Sequence, residues 1–301
     1  MKRLPILFVA AAVACAAALL AQQPTFRVDV RLVRMLVTVK DNAGQNVGSL
    51  NKSDFSISDN GVKQDVALFE RHTEQPLSIA VAIDTSLSTM TELKYEVESV
   101  SRFFRALLRE GNPDDAVALY TFNYEVQMLS GFTRRLERLE QSMRRLKPVG
   151  GTSMYDAIYF ASRELEERDG RRVIVVVTDG GDTTSGKTYH EALELAHMAD
   201  AAIYSILVMP IQNEAGRNIG GENALTTLAQ STGGRVFAPS LGKELDRAFD
   251  EILRDLRTQY LIGFYPKNLP TTKDRFHRLD VRVNRPDLRV ISRSGYYGNS
   301  E

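Results

Sequence analysis

A chain of 301 residues, 43% of them hydrophobic, is long enough to bury one large core or two moderate ones. Lysine plus arginine equals aspartate plus glutamate at 38 each, and no long basic block breaks that balance, which argues against a nucleic-acid partner. The single cysteine, Cys15, lies so early that everything after it is free of disulfides and of thiol chemistry.

Lys2 and Arg3 precede an apolar stretch from Ile6 to Ala21 that ends in small residues, the layout of a secretory signal peptide. Residues 1–21 are therefore expected to direct export, with cleavage after Ala21. An uncleaved segment holding the chain at a membrane is the alternative, but the stretch is short for a bilayer span. Ala12-Val13-Ala14 ahead of Cys15 fits lipidation of that cysteine poorly.

From Phe26 to Thr38 apolar and charged residues alternate, which predicts a half-buried strand. Asp41-Asn42-Ala43-Gly44 reads as a turn. Phe55–Ser58 is a second strand, closed by the hairpin signal Asp59-Asn60-Gly61, and Val66–Phe69 a third. Residues 22–75 thus form an N-terminal β segment.

From Leu77 strands alternate with helices, which predicts a doubly wound, mostly parallel α/β sheet over residues 76–257. Strands are expected at Leu77–Ile83, Val117–Phe122, Glu125–Leu129, Val173–Thr178, Ala202–Val208 and Arg235–Ala238. Helices are expected from Thr89 to about Glu110, then at Arg134–Leu146, Met154–Glu167, Thr188–Asp200, Ala224–Ser231 and Lys243–Arg257. Thr89 with Glu92, and Ser153 with Asp156, have capping-box spacing. The arginine pairs Arg134-Arg135 and Arg144-Arg145 are interleaved with leucines, as on the solvated face of an amphipathic helix. Residues 258–301 return to β signals at Tyr260–Tyr265, Phe276–Val283 and Leu288–Ser292. If the two β segments pair, the α/β domain is an insertion in a split β-sandwich.

Asp84-Thr85-Ser86-Leu87-Ser88 follows the apolar run Leu77–Ile83, Thr152 follows Gly150-Gly151, and Asp179 follows the run Val173–Val177. Carboxylates and hydroxyls are hard oxygen donors that suit Mg²⁺ or Mn²⁺, and the carboxyl ends of strands are where open α/β sheets bind ligands. Each residue has an ordinary alternative. Ser86 and Ser88 suit a helix cap, Thr152 a turn, and Asp179-Gly180 a turn pair. Asp182 reads as a loop residue and Asp156 as a helix N-terminal acid.

The order Asp84-x-Ser86-x-Ser88, Gly151-Thr152, Thr178-Asp179-Gly180 resembles the metal-ion-dependent adhesion site of von Willebrand factor type A domains, over about residues 75–257. Val39-Lys40-Asp41, Asp54-Phe55 and Arg293-Ser294-Gly295-Tyr296-Tyr297 resemble the flanks of a bacterial exported group related to those domains. The resemblance implies a Rossmann-like fold with a divalent cation, Mg²⁺ first and Mn²⁺ or Ca²⁺ next, held by Asp84, Ser86, Ser88, Thr152 and Asp179. It also implies a protein partner whose exposed carboxylate completes the coordination.

Enzyme signatures are missing. The position two residues after Asp84 is Ser86, where a haloacid-dehalogenase phosphatase needs a carboxylate. His72, His190, His197 and His277 form no zinc-ligand pattern, and Gly180-Gly181 lacks the residues of a phosphate loop. The expectation is an exported, non-catalytic, metal-dependent binding protein, located in a periplasm, at a surface or outside the cell. The alternatives are a scaffold of an envelope complex with an empty or purely stabilising site and, third, a metal-assisted hydrolase.

Overall fold

Alternation governs only the first half of the first strand, since Thr38 and Lys40 in its second half are buried as well. In β1 (Val33–Lys40), Val33, Met35, Val37 and Val39 are buried while Arg34 is exposed. A computed structural model describes residues 32–71, 74–208, 218–269 and 275–298. The expected signal peptide and the Phe26–Arg31 part of the first strand lie outside the described residues. Asn60 and Gly61, both at positive φ, turn β2 (Phe55–Asp59) into β3 (Val62–Gln64), as the Asn-Gly pair predicts. β4 (Val66–Glu70) follows.

These strands divide between two sheets, each completed from the far end of the chain. β1 lies between β11 (Tyr260–Phe264) and β13 (Arg289–Ser292), and β4 joins the outer edge of β11. β2 pairs with β12 (Phe276–Val283), flanked by β3 and by β14 (Gly295–Tyr297), a strand missing from the sequence reading. Both four-stranded sheets are antiparallel. They share one core in which the Phe55 ring meets Tyr260 edge-on at 5.1 Å. The Tyr260 hydroxyl donates to Val47 O (2.7 Å) and accepts from Leu50 N (3.0 Å), so its buried oxygen is satisfied.

β5 (Leu77–Asp84) is buried at every position, as a central strand covered on both faces must be. It runs parallel between β6 (Ala116–Phe122) and β8 (Arg171–Thr178). β9 (Ala201–Leu207) and the short β10 (Val236–Phe237) extend the sheet past β8. β7 (Val126–Thr133) closes the other edge antiparallel to β6. The order β10-β9-β8-β5-β6-β7 reverses direction between β5 and β8, which opens a crevice at their carboxyl ends.

Odd and even residues of these strands face different helix layers. Ile79, Val81, Ile83 and Val175 pack under α1 (Leu93–Glu110), α2 (Leu136–Met143) and α6 (Lys243–Thr258). Ala80, Ala82, Ile174 and Val176 pack under α3 (Met154–Glu166), α4 (Tyr189–Met198) and α5 (Ile219–Thr232). Leu245, Phe249, Ile252 and Leu256 recur at helical spacing on the buried face of α6, and the Phe249 ring lies 5.0 Å from Phe103 of α1. Truncating one such ring to alanine costs about 3–5 kcal/mol by cavity formation. Among the described residues no helix is long and apolar enough to cross a membrane.

Two expected caps do not form. Leu87–Thr89 is a single 3₁₀ turn and α1 begins only at Leu93, because the Thr89 hydroxyl donates to Ser86 O (3.0 Å) and Asp84 O (3.3 Å). Ser153 caps nothing with its side chain. Its hydroxyl bonds Thr184 Oγ1 (2.8 Å), while Asp156 accepts from Gly186 N and Lys187 N. Both side chains hold loops together at the crevice instead. The Thr188–Glu191 pair ahead of α4 does make a complete capping box.

Candidate metal centre

Three segments meet over the crevice. The first, at the end of β5, carries Asp84, Ser86 and Ser88. Asp84 is fully buried; its Oδ1 accepts from Ser86 N (2.8 Å) and its Oδ2 from Thr178 Oγ1 (2.6 Å). The Ser86 and Ser88 hydroxyls are 2.9 Å apart. The second segment, ahead of α3, carries Thr152, which is buried. It is tied to the first by Val149 N donating to Thr85 O (2.8 Å). The third, after β8, carries the half-buried Asp179. It is tied to the second by Thr152 N donating to Thr183 Oγ1 (2.9 Å) and by Thr183 N donating to Thr152 O (2.8 Å). Asp182 accepts from Ser185 N in its own loop and from Tyr155 N in the first turn of α3, so it too ties the third segment to the second.

The second segment needs its glycine. Gly151 sits at φ +84°, and a Cβ there would lie 2.8 Å from Tyr124 Cβ and 3.0 Å from Tyr124 Cα. Gly151→Ala is expected to destabilise the fold by about 2 kcal/mol, from the left-handed backbone and the displaced Tyr124 together, read as an earlier urea midpoint.

The electrostatics are one-sided. Burial, with help from Asp179, pushes the Asp84 carboxyl up to about 6, against the hydrogen bonds from Thr178 and Ser86 that lower it. Glu96, on the buried face of α1, is fully inaccessible, and neither of its carboxylate oxygens has a hydrogen-bond partner. Burial first, then the charges of Asp84, Asp179 and Glu92, raise it well above the usual carboxylate range. No ion pair among the described residues involves Asp84, Glu96 or Asp179.

Glu96 was missed by sequence reasoning. Its signal is a charge at a core position, one turn after Leu93 and one before Val100 on the apolar stripe of α1. Thr178 was read only as a flank of Asp179, yet it holds Asp84 in place. Among the described residues no three His, Cys, Asp or Glu side chains form a ready metal cluster. The donors brought together here are mostly hydroxyls, and hydroxyls with unbalanced carboxylates fit a hard divalent cation.

An open, doubly wound sheet with oxygen-bearing loops at its switch point defines the class of this domain. Residues 79–181 match the family model described as von Willebrand factor type A domain, and the α/β part of the chain has the fold of such domains. BatB from Bacteroides thetaiotaomicron is 18% identical over 60% of this chain and 98% of its own, with a TM-score of 0.48. The vWF domain of the type V pili tip protein Mfa5 from Porphyromonas gingivalis is 17% identical over 59% of this chain and 94% of its own, TM-score 0.48. The pilus adhesin SpaC from Lactobacillus rhamnosus GG is 8% identical over 82% of this chain, TM-score 0.51, and the chain spans 48% of that adhesin. These are likenesses of fold. No curated protein matches the chain.

Proposed function

We propose that the protein is an exported von Willebrand factor type A module of the adhesion type, a binding protein without turnover. It holds a divalent cation, Mg²⁺ ahead of Mn²⁺ or Ca²⁺, at Asp84, Ser86, Ser88, Thr152 and Asp179. Through that cation it captures an exposed carboxylate of a protein partner.

One observation carries the reading: Asp84 at the carboxyl end of β5, Asp179 just after β8 and the orphaned Glu96 on the buried face of α1 raise one another's charge burden, and no ion pair among the described residues balances them. A cation held there supplies a position for an anionic oxygen. The chain's own residues prepare it. Thr178 Oγ1 and Ser86 N fix the Asp84 carboxylate, and the backbone bonds between the loops keep the segments together. Leu87, Met90, Tyr124 and Val149 are exposed on the surrounding loops and offer a partner apolar contact. Export rests on Lys2-Arg3 and the apolar run Ile6–Ala21.

The test uses Mn²⁺ as a paramagnetic probe. Water-proton relaxation of the Mn²⁺-loaded chain is expected to fall as a five-residue peptide with a central aspartate displaces bound water, and not with the asparagine peptide. Equal responses to the two peptides would overturn carboxylate capture.

A further inference from the structure

At the opposite end of the sheet from Asp84 lies a cavity of about 290 Å³, between the first sheet of the sandwich and the amino ends of β8 and β9. That is the lower end of the range for small-molecule sites. Its charged lining is Arg34, Arg171, Arg172 and Arg293 against Asp169 and Asp200, an excess of positive charge. Met35, Pro76 and Leu261 supply apolar wall.

Two buried nitrogens on this lining lack partners. Arg293 is 7% exposed; it donates from Nη1 to Asp200 and from Nη2 to Arg34 O, but its Nε has no acceptor. His197, at the end of α4, is 4% exposed, and its Nδ1 is likewise unpartnered. Its ring stands edge-on to Phe276 at 5.1 Å, which fixes its orientation. Burial and the neighbouring Arg293 charge pull the imidazole down to about 4, so it is neutral at pH 7. Although His190 and His197 are two turns apart on one helix, only His197 is buried. An unmet guanidinium N–H buried beside a half-open cavity calls for an acceptor, and a charged acceptor makes the stronger bond.

We infer that this cavity is a binding site for a small organic carboxylate with a short apolar body, its oxygens on Arg293 and Arg34 and its body against Met35, Pro76 and Leu261. The site lies on the seam: Arg34, Met35 and Leu261 belong to the sandwich, and His197 and Arg171 to the α/β domain. An occupant therefore touches both parts and stabilises their union. This site is independent of the metal centre.

Hexanoate is the probe, with hexanol carrying the apolar body alone and inorganic phosphate the charge alone. Calorimetry of the full chain is expected to show saturable hexanoate binding, at least tenfold tighter than either control, with the His197 imidazole NMR signals shifting along the same isotherm. Arg34→Ala removes an exposed side chain and is expected to weaken hexanoate at least fivefold without lowering the melting temperature of the free protein. Hexanol or phosphate binding as tightly as hexanoate, an unmoved His197 signal at saturation, or no binding by any probe, as for a cavity holding water only, would each overturn the assignment.

Discussion

Asp255→Ala is expected to destabilise the protein by about 3–5 kcal/mol, on the order of 10 °C in melting temperature. Asp255 lies on α6 with a side chain 1% exposed, and it receives two cations. Lys40, at the end of β1, donates to Oδ1 at 2.7 Å, and Arg235, just ahead of β10, donates to Oδ2 at 2.6 Å. The Lys40 ammonium also bonds Asn46 Oδ1 (2.6 Å), which holds it in place beside Asp255. Removing the carboxylate leaves a buried ammonium without its counter-charge, the costly half of a buried ion pair. Removing the two buried charges is much less costly, because Arg235 keeps Glu251 at 3.5 Å and a side chain 26% exposed, so Lys40→Met with Asp255→Leu is expected to recover most of the loss. The comparison separates a lost charge partner from lost packing, and urea unfolding of the single and double variants reads it. Because Lys40 belongs to the sandwich and Asp255 to the α/β domain, the same variant loosens the seam between them.

Asp84→Asn is expected to show the opposite profile, with the proposed cation binding abolished while the metal-free fold is at least as stable. The native carboxyl titrates at about 6 against 3.8 for the free side chain. The native state therefore binds more protons than the unfolded state between those values, and stability falls as pH rises through that window. The difference is about 3 kcal/mol by the time the group is fully ionised. In chelator, wild-type protein is thus expected to melt higher at pH 4.5 than at pH 7 as far as this group is concerned. The substitution flattens that slope, because an amide of the same shape carries no charge to desolvate. Mg²⁺ at a hundred times its dissociation constant adds about 2.7 kcal/mol to the wild-type fold and nothing to the variant, which closes the gap at pH 7. At about a thousand times that constant it adds about 4.1 kcal/mol, which reverses the ranking. Thermal melts of both proteins at two pH values, with Mg²⁺ and with chelator, contain the whole pattern. A variant less stable than wild type in chelator would show that Asp84 is structural.

Much of this was legible because burial and periodicity are local properties of a sequence. The run Leu77–Ile83 is apolar because β5 is covered on both faces, and Asp84 stands out because the run ends there. Asn60-Gly61 marks its hairpin through backbone conformation alone. Pairing partners are not local. Nothing near Val33–Lys40 indicates that it lies between β11 and β13, more than two hundred residues away, since any alternating strand offers the same backbone groups. The caps expected at Thr89 and Ser153 went elsewhere for the same reason: a hydroxyl bonds whichever acceptor the tertiary fold supplies. Of the candidate site, the three segments were readable from strand ends. Glu96 was not, because its position among Leu93, Val100 and Phe103 looks like a charge on a helix until its burial is known.

Cation binding at the crevice is tested most directly by a calorimetric titration of Mg²⁺ into the chelator-treated full chain at pH 7. Saturable binding at one site, lost in Asp84→Asn, is the expected result. Wild-type protein that takes up no Mg²⁺, Mn²⁺ or Ca²⁺ in that titration would contradict it and return Asp84, Ser86, Ser88, Thr152 and Asp179 to the role of loop scaffolding.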